Sequence, residues 1–340
     1  MKKIIVGIII FIIIIVLICE FTPVSEVLDN IIYNNYVSDN GWLYVDGTSI
    51  KNKRNKNFTL KGVSSHGLQW YSDIITYDNL KNLKESWNIN VFRIAMYTSE
   101  NGYISNKEEI KNKVIEIANN VIDLDMYAII DWHILRDNDP NTYKEDSKEF
   151  FNEISNLYAD KPNVIYEICN EPNGNSISWD KHVKPYAEEI IPIIRQNSPK
   201  SLIIVGTPTW CQEVNAAADN RLDFDNILYS CHFYAGTHGE DLRKNVEYAL
   251  SKGAPIIISE WGTTDMTGNG SIYTDKANEW IDFLNKNNLS WINWSFSNKS
   301  EGSAIILPTY TLINEETGLS NDFNDYLTDS GKYVKNLLKK

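Results

Sequence analysis

Short apolar segments alternate with longer segments of helical spacing along most of this chain. Eight apolar segments recur between Phe58 and Trp294. The predicted strands are Phe58–Gly62, Val91–Ala95, Tyr127–Trp132, Val164–Ile168, Leu202–Val205, Ile227–His232, Ile256–Ser259 and Ser290–Trp294. Strands that alternate with helices predict a parallel sheet covered by helices, and eight such units close a (β/α)8 TIM barrel, an α/β fold.

The predicted helices include Lys107–Leu124, Trp179–Gln196 and Thr274–Asn287. A doubly wound open sheet is the competing fold, but it would need a glycine-rich phosphate turn after its first strand. Here the first predicted strand leads into the sequence SSHG instead. A length of 340 residues also fits one barrel with short additions.

The N-terminus begins Met-Lys-Lys and continues with an apolar run from Ile4 to Ile18. A basic start before a hydrophobic helix is typical of an export signal, and the run is close to the length that spans a bilayer. We therefore expect residues 1–24 to be a signal peptide or membrane anchor. The protein would then act outside the cell, secreted or anchored, and would touch a membrane only through this helix if it stays uncleaved.

Three further parts follow this segment. Residues 25–40 are polar and predict a linker, and the alternating stretch Gly41–Leu60 predicts a hairpin. Residues 41–340 are expected to form the barrel domain. We expect the protein to act as a monomer.

Composition excludes some partners. A net charge of −13 and a pI near 4.9 argue against binding to nucleic acid, which needs clustered basic residues. Four cysteines show no CxxC spacing, so no redox pair or zinc knuckle is predicted, and their simplest role is as buried apolar residues. The aromatic fraction of 12% would suit a protein that holds sugar rings.

Polar and aromatic residues follow almost every predicted strand. These residues are His66, Trp70, Arg93, Tyr97, His133, Asn170, Glu171, Trp210, His232, Tyr234, Glu260, Trp261, Trp294, Lys299 and Glu301. In a barrel, the carboxyl ends of all strands meet on the face where barrel enzymes place their active sites. A purely structural role would scatter such residues.

Glu171 and Glu260 follow the fourth and seventh strands, which lie nearly opposite each other in an eight-stranded barrel. Two facing carboxyl groups are what cleavage of a glycosidic bond requires, one as proton donor and one as nucleophile or base. A guanidinium such as that of Arg93 would keep a nucleophilic carboxylate ionised. A second anion nearby would keep the acid protonated.

The sequence resembles the bacterial endo-β-1,4-glucanases of glycoside hydrolase family 5, which are cellulases. The resemblance runs through ordered motifs over about residues 41–340. These motifs are GVSSHGLQW, FRIAMY, IIDWHIL, EICNEPNG, KPYAEEIIP, IIVGTPTW, CHFYAGTHG, IIISEWG, ISEWGTTD, INWSFSNKSEGSA and SGKYVKNLL.

The resemblance implies a retaining double-displacement mechanism, with Glu171 as acid/base and Glu260 as nucleophile. It implies that Asn170 binds the sugar 2-hydroxyl and that Tyr234 positions the nucleophile. Other polar positions around the carboxylates are Arg93, His133 and His232. Positions that would line the glucose subsites are His66, Trp70, Tyr97, Trp210, Trp294, Lys299 and Glu301. The substrate would be a β-glucan polysaccharide, and no cofactor or metal is expected.

Three alternatives remain open at this point. Three strand-end histidines, His66, His133 and His232, could bind zinc, although the H-x-H pair usual on the first strand of barrel metallohydrolases is absent. The barrel could bind polysaccharide without cutting it, but a binding module would not need both carboxylates. A β-1,4-mannanase or mixed-linkage glucanase is the nearest enzymatic alternative, because subsite shape decides among these substrates.

The segment VIYEICNEPNG contains a second glutamate, Glu167, four residues before Glu171. In a regular strand Glu167, Cys169 and Glu171 would share one face. Glu167 would lie deeper in the barrel, where a lone carboxylate is costly. We therefore predict that Glu167 pairs with a cation, Arg93 being the first candidate.

Overall fold

The structure is a computed structural model that describes residues 35–310 and 321–339. A closed barrel of eight parallel strands forms its centre. The barrel strands are β3 (Lys61–Ser65), β4 (Val91–Tyr97), β5 (Tyr127–His133), β6 (Val164–Glu167), β7 (Ile203–Gly206), β8 (Ile227–Tyr234), β9 (Ile256–Gly262) and β10 (Trp291–Phe296). Each strand pairs with its sequence neighbours, and β10 closes the ring against β3. The predicted (β/α)8 barrel is confirmed.

Helices cover the outside of the barrel. They are α2 (Leu68–Tyr71), α3 (Tyr77–Trp87), α4 (Lys107–Asp123), α5 (Lys144–Leu157), α6 (Lys184–Asn197), α7 (Val214–Asp219), α8 (Glu240–Ser251), α9 (Thr274–Lys286) and α10 (Asp329–Leu338), after a first short helix α1 (Tyr36–Asn40). Single helical turns occur at Ser72–Ile74 and Phe323–Tyr326, and a turn with left-handed residues occurs at Pro208–Cys211. A π-helical turn at Trp179–Val183 precedes α6.

Helix α4 shows how the sequence produces this layer. Its buried residues, Ile110, Val114, Ile117, Ala118 and Val121, recur every three or four positions and so form one apolar stripe. The stripe packs into the large hydrophobic core between the helices and the outer face of the barrel.

A two-stranded hairpin precedes the barrel, with β1 (Tyr44–Asp46) antiparallel to β2 (Ser49–Lys51), as predicted. Val37, Leu43 and Ile50 share a second core with residues from the bottom of the barrel interior. The predicted linker 25–40 therefore ends in a helix that belongs to the folded body.

The first barrel strand lies three residues later than predicted. The apolar residues Phe58 and Leu60 belong to the core below the barrel, and the ring of Phe58 packs edge-on against Tyr127 at 5.5 Å. The strand itself is more polar, because it ends in Ser64 and Ser65, which are buried with hydrogen-bonded hydroxyl groups. Ser65 Oγ accepts from the Ala95 amide, and Ser64 Oγ accepts from Arg93. Apolar content alone therefore misplaced the strand.

Inward-facing residues change character along the barrel axis. On β4, Val91 lies in the apolar layer at the bottom, Arg93 is the next inward residue, and Ala95 and Tyr97 lie above it. The interior thus passes from an apolar base through a charged layer to an aromatic rim at the carboxyl ends of the strands.

The predicted signal or anchor, residues 1–24, lies outside the described residues. Among residues 35–310 and 321–339, no helix combines the length and apolar character needed to cross a bilayer.

The apolar base of the barrel should carry a large share of the stability. We expect Leu228→Ala, which empties a fully buried position there, to lower the free energy of unfolding by about 2–5 kcal/mol. Urea denaturation followed by tryptophan fluorescence would measure the change. Leu157→Ala is the matched control, because Leu157 is 51% exposed on the end of α5 and its loss should change stability by less than about 0.5 kcal/mol. Equal effects of the two variants would contradict this account of the core.

Candidate active site

A cleft of about 510 Å³ opens at the carboxyl ends of the barrel strands. It is lined by the predicted residues His66, Tyr97, His133, Glu171, Trp210, His232, Tyr234, Glu260, Trp294, Lys299 and Glu301. The ring of Trp70 contacts those of His66 and Tyr97 at the rim. Arg93 and Asn170 lie beneath the cleft, hydrogen-bonded to each other. The structure therefore brings the predicted catalytic and subsite residues together, whereas Trp261, which was also predicted at a strand end, lies in the outer core.

Arg93 is the centre of the charged layer. Its guanidinium is fully buried and uses each of its nitrogens. Nε donates to Glu167 at 2.7 Å, Nη1 donates to Glu260 at 3.1 Å, and Nη2 lies 3.1 Å from Asp131. Nη2 also donates to Asn170 Oδ1 at 2.6 Å. The predicted pair between Glu167 and Arg93 is confirmed. Arg93 also pairs with Asp131, a third buried acid that the sequence did not indicate.

A β-bulge brings Glu260 into the cleft. Ser230 pairs with Ile257 and His232 pairs with Glu260, so two steps along β8 match three steps along β9. The extra residue breaks the alternation of a regular strand, and both Ser259 and Glu260 reach the interior. Trp261 then points outward, where it stacks on Phe233.

Each carboxylate oxygen of Glu260 has one donor. Oε2 accepts from Arg93, and Oε1 accepts from the Tyr234 hydroxyl at 2.8 Å. Burial and the charge of Glu171 raise the pKa of Glu260, whereas the cation and the hydroxyl oppose the rise. The pKa values of both carboxyl groups are raised to about 7, so they do not separate the two groups. The direct bonds from Arg93 and Tyr234 favour ionisation of Glu260 before Glu171.

Glu171 is 8% exposed, and burial raises the pKa of its carboxyl to about 7. Its Oε1 lies 2.9 Å from Nδ1 of His232. Burial also lowers the pKa of His232 to about 4, so this ring is neutral and carries one proton.

The position of that proton follows from the next contacts. Ser259 Oγ donates to the Glu167 carboxylate at 2.6 Å, so it accepts from His232 Nε2 at 2.9 Å. Nδ1 is then an acceptor, and Glu171 must donate to it. The chain of bonds from Glu167 through Ser259 and His232 therefore favours a protonated Glu171, as an acid catalyst requires.

Oxygen atoms of Glu171 and Glu260 lie within 4.8 Å of each other. Retaining glycosidases hold their two carboxyl groups about 5–5.5 Å apart, whereas inverting enzymes need about 6.5–9.5 Å to admit a water molecule. The observed spacing suits direct attack by one carboxylate and proton donation by the other.

Asn170 and His133 orient each other. Burial lowers the pKa of His133 far below its ordinary value, and Nδ1 of this neutral ring lies 2.6 Å from Asp131. The carboxylate fixes the ring proton on Nδ1, so Nε2 accepts from the Asn170 amide at 3.3 Å. The same amide donates to the Ile134 carbonyl at 3.1 Å. Asn170 is thus held in one rotamer beside Glu171.

The expected regular strand through Glu171 is wrong beyond Glu167, where β6 ends. Glu167 and Asn170 both contact the Arg93 guanidinium, although residues three apart face opposite sides in a regular strand. Cys169 instead packs in the outer core. The backbone groups of the irregular segment find hydrogen-bond partners outside a regular ladder, since the backbone N–H of Asn170 donates to the Trp132 carbonyl. This break lets an amide and a carboxyl point into the cleft from consecutive positions.

Aromatic rings form the walls of the cleft. Tyr97 and His133 stack at 4.1 Å, and His133 stacks on Trp294 at 5.4 Å. Trp70 and Trp210 are 44% and 45% exposed at the rim. Exposed ring faces of this kind can pack on the C–H faces of sugar rings.

A salt bridge closes one side of the cleft. Lys299 Nζ lies 2.6 Å from Glu301 and 3.3 Å from His66 Nε2. These charged and polar atoms are positioned to hydrogen-bond hydroxyl groups in the cleft.

Sequence reasoning missed several residues of the site. Asp131 hydrogen-bonds His133, and Ser259 hydrogen-bonds His232. The only feature of the sequence that could have indicated them is that each lies within two positions of a predicted site residue. The cleft is also lined by Leu135, Gln212, His238, Met266, Thr267 and Gly268. They come from loops after the strands, where no periodic pattern marks them.

The three strand-end histidines do not form a metal site. Within the described ranges, the one group of three side chains close enough to share an ion is Glu171, His232 and Glu260. His66 and His133 are not part of it. Both ring nitrogens of His232 already have hydrogen-bond partners, and the Arg93 cation contacts Glu260. This arrangement favours acid–base chemistry over the zinc alternative.

Comparisons with known proteins agree with this geometry. Residues 51–300 match the family described as Cellulase (glycosyl hydrolase family 5). Endoglucanase A of Evansella cellulosilytica is 59% identical over 73% of this chain, and an endoglucanase of Clostridium saccharobutylicum is 51% identical over 87%. The chain spans 51% and 64% of the lengths of these two relatives.

Solved structures show the same fold. Cellulase Cel5C_n superposes with a TM-score of 0.86 at 40% identity, covering 91% of this chain and 95% of that one. The catalytic domain of Thermobifida fusca endoglucanase Cel5A, solved in complex with cellotetraose, has a TM-score of 0.84 at 32% identity, covering 90% and 100% of the two chains.

Burial of Glu171 should cost stability at high pH. Its folded pKa of about 7 exceeds the ordinary value of about 4.3, so the favourable contribution of the protonated form is complete below about pH 4 and is lost as pH rises through 7. We expect Glu171→Gln, which cannot lose a proton, to be about 3 kcal/mol more stable than the wild type at pH 8 and equally stable at pH 4. Urea denaturation at pH 4, 6 and 8 would measure the difference.

Glu116→Gln is the matched control, because Glu116 is exposed on α4. Its stability should follow that of the wild type at every pH. A constant offset between Glu171→Gln and the wild type across this range would show that Glu171 does not hold its proton in the folded state.

Proposed function

The chain belongs to glycosyl hydrolase family 5, and we propose that it is a retaining endo-β-1,4-glucanase that cleaves cellulose and related β-glucans. The observation that carries the proposal is the pair of buried carboxyl groups within 4.8 Å, one bonded to Arg93 and Tyr234 and the other to the neutral His232. Endoglucanases among its relatives and a structural neighbour that binds cellotetraose support the choice of substrate.

In the first step, a Glu260 carboxylate oxygen attacks the anomeric carbon. The bond to the leaving oxygen breaks, and Glu171 gives that oxygen its proton, so a glycosyl ester and a shortened sugar chain result. Attack removes the negative charge from Glu260, and proton transfer leaves Glu171 anionic. The charge of the pair is thus conserved while it moves across the cleft.

In the second step, water attacks the anomeric carbon and the ester bond to Glu260 breaks. Glu171 now accepts a proton from the water, which restores both side chains to their starting states. Two displacements at one carbon retain its configuration.

Asn170 and the aromatic walls would hold the sugar for this chemistry. The amide of Asn170 is fixed beside Glu171 by Arg93 and His133, so it can bind a hydroxyl of the ring that is attacked. Tyr97, His133 and Trp294 form a stacked wall on which that ring can rest. Positioning of this kind removes much of the entropic barrier to attack.

The purified protein should release mainly short oligosaccharides of retained configuration from carboxymethylcellulose and mixed-linkage β-glucan, and it should act more weakly on mannan and xylan. Chromatography of the products and proton NMR of the first products would measure both features. A preference for mannan would show that the protein is a β-1,4-mannanase with the same catalytic pair.

Glu260→Gln is the variant that tests the nucleophile. Its amide keeps the shape of Glu260 but cannot form the glycosyl ester, so kcat should fall by at least about 10⁴-fold, since covalent catalysis is lost. Binding of cellotetraose by calorimetry should survive and would show that the cleft is intact. Undiminished turnover in this variant would exclude Glu260 as nucleophile.

An extracellular location is part of the proposal. Its support is the basic start and the apolar run Ile4–Ile18, together with a polymeric substrate that cannot enter a cell. Antibody detection in fractions of cells that produce the full chain should find the protein in the medium or on the outer side of the membrane. Detection confined to the soluble cell interior would contradict the location and leave the enzymatic proposal untouched.

A further inference from the structure

Three consecutive residues after β7 have left-handed backbone angles. The φ values are 57° at Thr209, 53° at Trp210 and 59° at Cys211. Residues with side chains disfavour this region, a β-branched threonine most of all, and left-handed residues normally occur singly. Such a turn persists only where its surroundings hold it, and strained segments of this kind cluster at functional sites.

The surroundings that hold the turn are the peptide groups on either side of Glu171. The Trp210 amide donates to the Pro172 carbonyl at 3.1 Å. The Cys211 thiol donates to the Asn170 carbonyl at 2.9 Å. Neither bond involves a catalytic side chain. Together they hold the backbone at the residue before Glu171 and at the residue after it.

The two segments also approach each other too closely for an extra side chain. A Cβ atom placed on Gly206, at the end of β7, would lie 2.3 Å from the Cys169 carbonyl oxygen and 2.4 Å from that of Asn170. The Gly206 amide in turn donates to the Cys169 carbonyl at 3.1 Å. The end of β7 and the turn after it thus both contact the backbone of the segment that carries Asn170 and Glu171.

Cys211 is suited to the role of a donor. Its side chain is fully buried, and burial raises the pKa of the thiol well above its ordinary value. The sulfur therefore keeps its proton at any pH at which the protein works. The other described cysteines contact different groups, since Cys169 lies 3.9 Å from the Gly206 carbonyl and Cys231 lies 4.0 Å from that of His232.

We propose that Cys211 is a positioning residue for Glu171, which acts by holding the Asn170 carbonyl and so keeps the acid aligned with the leaving oxygen. The inference rests on the proposed function, because it takes Glu171 to be the proton donor. The same turn presents Trp210 to the cleft, 45% exposed. One strained turn therefore holds the backbone beside Glu171 and also carries a ring that lines the cleft.

If Cys211 has this role, its loss should weaken proton donation by Glu171 and leave nucleophilic attack by Glu260 unchanged. The Asn170 side chain keeps its own bonds to Arg93, His133 and the Ile134 carbonyl when the thiol is lost. Glu260 is held on β9 by Arg93 and Tyr234, so nucleophilic attack should not depend on Cys211. Proton donation should depend on it, because a small displacement of the carboxyl is enough to weaken transfer. Substrates that differ in their need for a proton can separate the two effects.

The experiment compares Cys211→Ala, Cys211→Ser and the wild type on two substrates. Cellopentaose needs its leaving oxygen protonated, whereas 2,4-dinitrophenyl β-cellobioside releases a stable phenolate without help. For Cys211→Ala we expect kcat/KM to fall about 10-fold or more on cellopentaose, part of the about 10²–10⁴-fold that an acid supplies, and to change less than about two-fold on the aryl substrate. Cys211→Ser, which keeps a donor, should recover most of the loss.

Val214→Ala is the matched control, since Val214 is a fully buried neighbour on α7 that lies in the outer core. It should lower stability without changing the ratio of the two substrates. If Cys211→Ala does not fold, Cys211→Gly serves instead, because glycine adopts the left-handed angle freely and also lacks the donor.

Equal losses on both substrates, or no loss on either, would overturn the positioning role. Glu171→Ala distinguishes this failure from failure of the proposed function. It should lose activity on cellopentaose and keep most of its first-step rate on the aryl substrate. If Glu171→Ala shows no such selectivity, the assignment of the acid is wrong, whatever the cysteine variants do.

Discussion

The buried guanidinium of Arg93 is the interaction on which the rest of the site depends. Burying an ion removes its hydration, and only close partners with good geometry can offset that cost. Arg93 has such partners in Asp131, Glu167 and Glu260, and it also fixes the amide of Asn170. Strands from opposite sides of the barrel thereby share one cation. The charged layer acts as a crosslink of the barrel as well as part of its chemistry.

A single guanidinium cannot balance all the acids around it. Glu171 is a fourth buried carboxyl near the same charge, and desolvation raises its pKa together with those of Asp131 and Glu260. The protons retained at neutral pH go to the carboxyl groups with the weakest contacts to the cation. Direct bonds favour an ionised Glu260, and the neutral His232 accepts from Glu171. The different roles of two chemically identical side chains thus follow from their neighbours.

The sequence was sufficient to predict the barrel, its hairpin and the residues that meet in the cleft, because the alternation of strands and helices and the polar strand ends are local signals. It was not sufficient where a strand departs from regular geometry. The bulge before Glu260, the break after Glu167 and the left-handed residues from Thr209 to Cys211 depend on contacts with distant segments. The first strand was predicted too early in the chain, because the apolar residues Phe58 and Leu60 pack in a core below the barrel and precede the strand.

These irregularities are connected by a common geometric requirement. A regular strand sends alternate side chains outward, so it cannot deliver two neighbouring functional groups to one cleft. Asn170 with Glu171, and Ser259 with Glu260, are neighbouring pairs that both face inward. Each pair therefore requires a break in its strand, and each break leaves backbone groups that other segments must bind. The turn at Trp210 and Cys211 binds two of the carbonyls released after β6, so its own strain is a consequence of placing an acid and an amide side by side.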